Sequence, residues 1–411
     1  MSILRNSWIA IAGVSLSLLG TGSAAQAIVT PTDPDNYLVP SDEFSGVARL
    51  ELGESISCSG SLLSGGLHIL TAAHCLTDNE GIPIRNVLDN SSAVFNIEQG
   101  SPSIRLPIAI SDFFIHPNWS GTGGGGEGFV RGNDIAVLQL AEPAPAFIEQ
   151  YDLYRNTDEV GQIFTKVGYG NIGLGNTGYI PNSIDGRKRF GQNRFDALVD
   201  LFKEEEVTLT HFDVATSEVS EVFNWADIAI SGSQLLLDFD NGLPENDAFG
   251  VHFGIEDLGL GDTEVNPAPG DSGGPSFLLG DDGNWLIAGV SSHIFVDSSA
   301  RVYEENFFET DEKGNPVVYQ DYFPDDPTTS VTTDFVPGVG EVGINDSSFG
   351  GFGSVTRVSN YASFVDDAVA GKVPSAVAVP EPPSILGTLA FSALGAGGLL
   401  KRRNKHRSAK N

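Results

Sequence analysis

Three residues that lie far apart in the chain have the side chains that nucleophilic catalysis needs. Ser272 lies in a glycine-rich segment that reads PGDSGGP, His74 follows an apolar run, and Asp134 comes directly before another. A serine hydroxyl is a weak nucleophile until a base takes its proton, and a carboxylate can orient that base. Glycines beside Ser272 allow a tight turn in which backbone N–H groups converge on one point. These residue types therefore predict a serine nucleophile with its base and its orienting acid.

Two of these residues, His74 and Asp134, also have a simpler explanation. A single histidine is more often structural than catalytic, and an aspartate before a strand is commonly a turn residue. The chain order His, Asp, Ser favours chemistry. So do Cys58 and Cys75, the two cysteines of the chain, because one disulfide between them would fix the loop that carries His74.

The elements that must position these residues are short strands. The chain contains 49 glycines, and turn residues separate its apolar or alternating runs. Examples of such runs are residues 60–64, 68–71, 135–140, 163–167, 285–290 and 354–358. This pattern is typical of an all-β barrel or sandwich. Apolar residues then recur at helical spacing, which predicts a short final helix. They are Tyr361, Phe364, Val365, Ala368 and Val369.

The motifs TAAHC around His74, NDIAVL around Asp134 and GDSGGP around Ser272 resemble those of the chymotrypsin/trypsin-like serine proteases. Further matches are HPNW at 116–119, GYG at 168–170 and TRVSNY at 356–361. The resemblance implies an all-β fold of two antiparallel six-stranded β-barrels with a short C-terminal helix. The first barrel would span 28–155 and the second 156–370, with insertions near 171–265 and 297–350 that the resemblance does not cover.

The resemblance also implies how the residues act. Ser272 would attack a peptide carbonyl, and His74 would accept its proton and later donate it to the leaving amine. Asp134 would hold the imidazole tautomer. The N–H groups of Gly270 and Ser272 would form the oxyanion hole, in which one donor is typically worth about 2.7–4 kcal/mol. No cofactor is required.

Asp271 has a separate role in that family, where it pairs with a free N-terminal ammonium and orders the oxyanion hole. Cleavage after Ala27 would expose Ile28 followed by valine, the start that mature chains of the family commonly have. We therefore predict that removal of a signal peptide itself creates the activating terminus. A chance occurrence of this dipeptide is the alternative.

The residues expected around the substrate depart from the family pattern. Asn266, six residues before Ser272, takes the place of the pocket-floor residue, so the pocket lacks the acid of a strict Arg/Lys specificity. Ala268 stands where a cysteine is common. Ile294 would narrow the pocket mouth and Gly353 would leave the far wall open, whereas Ser292 would lie on the strand that pairs with the substrate backbone. We predict a neutral, medium-sized side chain before the cleaved bond.

Both ends of the chain resemble sorting signals. Residues 1–27 combine a basic start, an apolar run and an Ala-Gln-Ala site, which predicts a signal peptide and export. A linker at 371–384 contains VPEP at 379–382, followed by an apolar span at 385–400 and a basic tail at 401–411. This order resembles the PEP-CTERM sorting signal of Gram-negative bacteria, which implies an exosortase partner and a transient membrane anchor. A plain tail anchor is the alternative.

The charge of the chain restricts its partners. The protein has 54 acidic against 22 basic residues, a net charge of −32. The two ends contain seven of the bases and one of the acids, which leaves a net charge of −38 for residues 28–380. Nucleic acid is excluded as a partner because its phosphates would be repelled. The acidity indicates either solubility or a surface for cations and basic substrates.

A metal site is not predicted. The seven histidines show no paired ligand spacing, and the segment DFDNG at 238–242 has only part of a calcium loop, since further ligands are out of register. We interpret that segment as a turn.

Two functions are compatible with these features. The first is a secreted serine endopeptidase that acts on proteins or peptides at the cell surface or outside it. The second is a surface binding or adhesion protein on an inactive protease scaffold, against which the complete set of His74, Asp134, Ser272 and Gly270 argues. An esterase is not supported, because its triad has a different chain order.

Overall fold

The computed structural model describes residues 8–10, 28–40, 43–53, 55–84, 87–97, 104–123, 127–204, 208–213, 218–244, 246–295, 302–305, 339–342 and 347–376. Contacts divide the chain into a unit Met1–Ser375 and a unit Ala376–Asn411. The predicted membrane span and basic tail lie outside the described residues, as do most of the signal peptide and of the insertion near 297–350. Among the residues that are described, no helix has the length and apolar character to cross a membrane.

Six antiparallel strands form a closed barrel in the first half of the chain. Two short strands come before it, β1 (Trp8–Ala10) and β2 (Val29–Thr30). The barrel strands are β3 (Val47–Leu52), β4 (Ile56–Leu62), β5 (His68–Thr71), β6 (Ser92–Ile97), β7 (Ile104–Ile115) and β8 (Ala136–Leu140). They close in the order β3-β4-β5-β8-β7-β6, which confirms the predicted first barrel.

Alternating side chains explain why these segments form a barrel wall. In β3, Leu50 and Leu52 are buried, whereas Arg49 and Glu51 are partly exposed. A strand with a period of two can therefore fill the barrel with one face and meet solvent with the other.

The second half of the chain forms an eight-stranded sheet. Its strands are β9 (Asp152–Leu153), β10 (Ile163–Gly168), β13 (Arg189–Arg194), β14 (Ala197–Leu198), β17 (Gln234–Asp238), β18 (Pro275–Leu279), β19 (Trp285–Phe295) and β22 (Phe352–Arg357). The order is β13-β10-β18-β19-β22-β17-β14, with β9 parallel to β19. The described strands do not close into a ring, so a closed second barrel stays a prediction.

The remaining described strands belong to neither the barrel nor the eight-stranded sheet. They are β11 (Gly173–Leu174), β12 (Gly178–Tyr179), β15 (Thr208–Asp213), β16 (Glu218–Asn224), β20 (Val302–Glu305) and β21 (Val339–Val342). The helices are α1 (Glu127–Arg131), α2 (Asp200–Glu204), α3 (Trp225–Ile228), α4 (Ala248–Phe253) and α5 (Val358–Val369), with 3₁₀ turns at Pro34–Tyr37, Ala73–Cys75 and Gly261–Thr263. The first predicted insertion therefore contains strands, three α-helices and one of the 3₁₀ turns.

An aromatic core holds this insertion to the sheet. Phe202, Trp225 and Phe249, from α2, α3 and α4, are buried together against Phe352 of β22. Their rings lie 5.0–6.4 Å apart, in the range of favourable aromatic pairs.

The predicted C-terminal helix is confirmed as α5. Tyr361, Val365 and Ala368 are buried along one side of it, and Phe364 packs edge-on against the His116 ring at 4.9 Å. Val369 was expected on the same apolar face, but it is 37% exposed because it lies at the last position of the helix.

Candidate active site

The turn that carries His74 is tied to the barrel by a disulfide. His74 lies in the 3₁₀ turn Ala73–Cys75, directly after strand β5. Cys75 in this turn is bonded to Cys58 of strand β4, with their Cα atoms 6.4 Å apart. The predicted pairing is confirmed, and it connects the imidazole to two neighbouring strands.

The backbone around Asp134 is held from several sides. Asn133 has a φ of +67°, a left-handed conformation that asparagine tolerates. Its N–H donates to the Tyr361 hydroxyl of α5 at 3.0 Å, and the Thr356 hydroxyl donates to the Asp134 carbonyl at 2.8 Å. Elements from the end of the chain therefore position an aspartate of the first barrel.

The Asp134 carboxylate contacts His74 through both oxygens. Its Oδ2 lies 2.7 Å from His74 Nδ1, and its Oδ1 accepts the His74 backbone N–H at 2.9 Å. The Ser292 hydroxyl donates to the same Oδ2 at 2.6 Å. Burial by itself raises the pKa of Asp134, but the charge of His74 and these hydrogen bonds outweigh it and hold the pKa below 3.8. The carboxylate is ionised at neutral pH, although it is fully buried.

Ser292 reaches this carboxylate because of an irregularity in strand β19. The pairing of β19 with β22 shifts register between Ser291 and His293, so Ser292 is the extra residue of a bulge. The sequence placed Ser292 only beside the substrate backbone, and its side-chain contact with Asp134 was not foreseen.

The loop around Ser272 is anchored next to His74. The Ser272 carbonyl accepts the Ser59 N–H at 2.8 Å, and the Gly273 N–H donates to the Ser291 carbonyl at 2.9 Å. Cys75 Sγ lies 3.8 Å from the Ser272 carbonyl oxygen and 4.0 Å from His74 Nε2. The structure therefore brings the three predicted catalytic residues to one place.

Gly273 is required for this close approach. Its φ is +80°, and a methyl group on its Cα would lie 2.0 Å from Thr71 Oγ1. Gly270 likewise has a φ of +103°. In the described part of the chain, neither the Gly270 N–H nor the Ser272 N–H donates a hydrogen bond to a protein group.

Asp271 points into the protein interior, where backbone donors surround it. Its carboxylate accepts the N–H groups of Gly170 at 2.8 Å and Ala268 at 2.9 Å, and it also accepts that of Ile28. Burial raises the pKa of Asp271, while the charge of Lys166 and these donors oppose the rise. The predicted partners Ile28 and Asp271 are thus in contact through the Ile28 backbone.

Lys166 is a neighbour of the Ser272 loop that the sequence did not identify. It is 1% exposed, and its ammonium donates to the Gly274 carbonyl at 3.1 Å and to the Ser291 hydroxyl. Burial lowers its pKa from 10.5 to about 8, while the charge of Asp271 acts in the opposite direction. The alternating pattern of β10 gave no sign of this, because a lysine in a strand is usually exposed.

The predicted pocket residues also lie together. Asn266 is fully buried, and neither polar atom of its side chain has a hydrogen-bond partner among the described residues. A methyl group on Gly353 would lie 3.2 Å from Asn266 Oδ1, and Ile294 pairs with Gly353 in the sheet. Ala268 is buried nearby in the same segment.

Phe129 is a further side chain at this site. It lies on the short helix α1, and its ring meets the His74 ring edge-on at 5.3 Å and stacks on the His293 ring at 5.0 Å. The glycine-rich sequence before it offered no motif for this position.

Part of this chain is similar to known proteins of the trypsin-like class. Residues 39–186 match the family model described as Trypsin, a stretch that contains His74 and Asp134 but not Ser272. An 87-residue stretch, 21% of this chain, is 37% identical to Serine protease Hayan of Drosophila melanogaster and covers 12% of that protein. An 86-residue stretch, also 21% of the chain, is 31% identical to Chymotrypsin-C of Bos taurus and covers 27% of that protein. The matches therefore span about a quarter or less of these relatives.

Proposed function

We propose that this chain is a trypsin-like serine endopeptidase with His74, Asp134 and Ser272 as its catalytic residues. The observation that carries the proposal is the His74 imidazole, held by the buried Asp134 carboxylate beside an anchored serine loop. The Trypsin match over 39–186 supports the same reaction class.

In the proposed reaction, Ser272 Oγ attacks the peptide carbonyl as its proton passes to His74 Nε2. The imidazolium that forms donates from Nδ1 to Asp134, whose charge stabilises it. The oxyanion is held by the N–H groups of Gly270 and Ser272. His74 then protonates the leaving amine, and water releases the acyl group by the reverse sequence of proton transfers.

Activation in this proposal follows from cleavage after Ala27. Ile28 is fully buried and has a φ of +68°, which a β-branched residue rarely adopts, so the uncut chain is strained there. Cleavage would release this strain and convert the N–H that already contacts Asp271 into an ammonium. N-terminal sequencing of the active enzyme should give Ile28 first. A start well beyond Ile28, or full activity with a blocked terminus, would contradict this step.

Substrate choice in this proposal follows from the uncharged pocket. Asn266 offers an amide with unused hydrogen-bonding capacity and no charge for a basic side chain. We therefore expect cleavage after neutral residues of medium size. A peptide library that is cut chiefly after Arg or Lys would contradict this specificity but not the reaction class.

The location of the enzyme is proposed from the sorting signals that its two ends resemble. The signal peptide at 1–27 would export the chain from a Gram-negative cell, and the VPEP, apolar and basic segments would make it a substrate of an exosortase. The mature product would then lie at the cell surface or outside the cell. Mass spectrometry of the product from a producing bacterium, compared with a deletion of 379–411, tests the cleavage.

A fluorophosphonate probe tests the catalytic proposal directly. The mature chain should be labelled, and Ser272→Ala should abolish the labelling because the nucleophile is lost. A serine outside the site, Ser111 on strand β7, gives the control variant Ser111→Ala, which should label like the parent. Absence of labelling in a correctly processed, folded chain would favour the alternative of a binding or adhesion protein on this scaffold.

A further inference from the structure

Three buried aspartates form a cluster that includes none of the candidate catalytic residues. Asp238 ends strand β17, Asp240 follows two residues later, and Asp247 comes directly before helix α4. One carboxylate oxygen from each lies within 4.8 Å of the other two. The three residues, called the acidic cluster below, are only 2–3% exposed.

Further carboxylates increase the negative charge around the acidic cluster. Burial, together with the neighbouring acids Asp238 and Glu264, raises the pKa of Asp240 to about 12. Burial likewise raises the pKa of Glu264 to about 7 and that of Asp196 to about 8. Buried like charges at such distances are unstable unless protons or a cation neutralise them.

Hydrogen bonds within the protein reach only some of the carboxylate oxygens of the acidic cluster. Asp238 Oδ2 accepts the Phe249 N–H at 2.9 Å, and the two oxygens of Asp247 accept the N–H groups of Gly250 and Asp257 at 2.6 and 3.0 Å. Asp240 Oδ1, in contrast, is buried and has no hydrogen-bond partner among the described residues. A buried polar atom without a partner is rare in folded proteins, and here it belongs to one of the three clustered carboxylates.

We propose that the acidic cluster binds one Ca²⁺ ion through the carboxylates of Asp238, Asp240 and Asp247. Ca²⁺ favours sets of oxygen ligands that include several carboxylates, and the cluster offers no nitrogen or sulfur ligand of the kind zinc prefers. The proposal departs from the sequence prediction of no metal. That prediction was based on ligand spacing within the single loop at 238–242. The fold, however, brings Asp247 close to Asp238 and Asp240.

The acidic cluster is linked to the segment that ends at Asn266. The Asn193 side-chain amide donates to the Asp238 carbonyl at 2.7 Å and to the Val265 carbonyl at 3.0 Å. Glu264 Oε1 accepts the Asp240 N–H at 2.8 Å. A bound ion would therefore stabilise the fold around residues 238–266, which makes thermal stability a readout that does not depend on catalysis.

Calcium binding is best measured in a Ser272→Ala background, which excludes self-digestion. After treatment with EDTA and its removal, isothermal titration with CaCl₂ should show one saturable site, with a dissociation constant of about 1 mM or lower, as in extracellular calcium modules. Saturating Ca²⁺ should raise the melting temperature by about 3 °C or more. MgCl₂ should bind at least tenfold more weakly, because Mg²⁺ demands a stricter octahedral geometry.

Variants locate the site. Asp240→Asn should weaken Ca²⁺ binding at least tenfold and abolish the calcium-dependent rise in melting temperature. Asp247→Asn should have the same two effects. It serves as the test if circular dichroism shows that Asp240→Asn is misfolded. Asp281→Asn, an exposed aspartate in the turn after β18, is the matched control and should bind Ca²⁺ like the parent.

Two results would overturn the proposal. In the first, the parent shows no saturable binding at about 10 mM Ca²⁺, a concentration well above the affinity range of such modules. In addition, Asp240→Asn raises the melting temperature by the same amount in CaCl₂ as in EDTA. The cluster would then be neutralised by protons. The other is binding that Asp240→Asn and Asp247→Asn both leave unchanged, which would place the ion elsewhere. Neither result depends on whether the chain is a peptidase.

Discussion

The buried ammonium of Lys166 should make the protein more stable as the pH rises above 8. Its pKa is about 8 in the folded protein, against 10.5 for an ordinary lysine. Below pH 8 the amine is protonated in both the folded and the unfolded chain. Between pH 8 and pH 10.5 only the unfolded chain keeps the proton, so the free energy of unfolding increases with pH.

The size of this effect follows from the difference between the two pKa values. One pKa unit corresponds to about 1.4 kcal/mol, so the free energy of unfolding should gain about 3 kcal/mol by pH 10.5. Since Lys166 is fully buried, solvent does not screen the effect as it would at the surface. Lys166→Met keeps an apolar chain of similar length and removes the titrating group.

Urea unfolding from pH 7 to pH 11, followed by tryptophan fluorescence in the Ser272→Ala background, measures this gain. The difference in unfolding free energy between the parent and Lys166→Met should rise in favour of the parent between pH 8 and pH 10.5. Tyrosine titration cancels in this difference. Lys372→Met is the control, because Lys372 is exposed and its pKa is raised by Asp367, so its curve should lack the rise. A flat or falling difference for Lys166→Met would refute the buried-ammonium argument.

Three further predictions concern the site and its support. Asp134→Asn should lower kcat on a chromogenic peptide by about four orders of magnitude, because the wrong imidazole tautomer is held, and near-normal turnover would contradict the triad. Gly273→Ala should abolish fluorophosphonate labelling, since its methyl group would meet Thr71, whereas Gly283→Ala, with a φ of +81° and open space around it, should still label. Glu159→Gln should lower the free energy of unfolding in urea by about 3–5 kcal/mol, because it breaks a buried pair with Arg357. A loss below about 1 kcal/mol, the range of an exposed pair, would contradict that estimate.

Much of the site could be predicted because local motifs carry it. His74, Asp134 and Ser272 each lie in a short segment whose residue types are typical of serine-protease chemistry. The three segments come together in the structure. Cys58 and Cys75 had one possible pairing within the chain, and that pairing is present. The helical spacing around Tyr361 predicted α5 correctly.

Other features could not be predicted, because distant elements meet to form them. Phe129 contacts His74 only because α1 folds back over the imidazole. Ser292 reaches Asp134 because β19 bulges where it pairs with β22. The register between strands decides a contact such as that of Ser292, because one residue of slip would turn each side chain to the opposite face.

The sequence by itself determined which reaction we propose for this chain, since nucleophile, base and acid are properties of residue types and their order. The tertiary structure alone decided what surrounds them. It placed the ammonium of Lys166 under the Ser272 loop and brought Asp247 to Asp238 and Asp240. The physical reason is that burial changes the charge state and the partners of a side chain, and burial arises from contacts between segments that are remote in the chain.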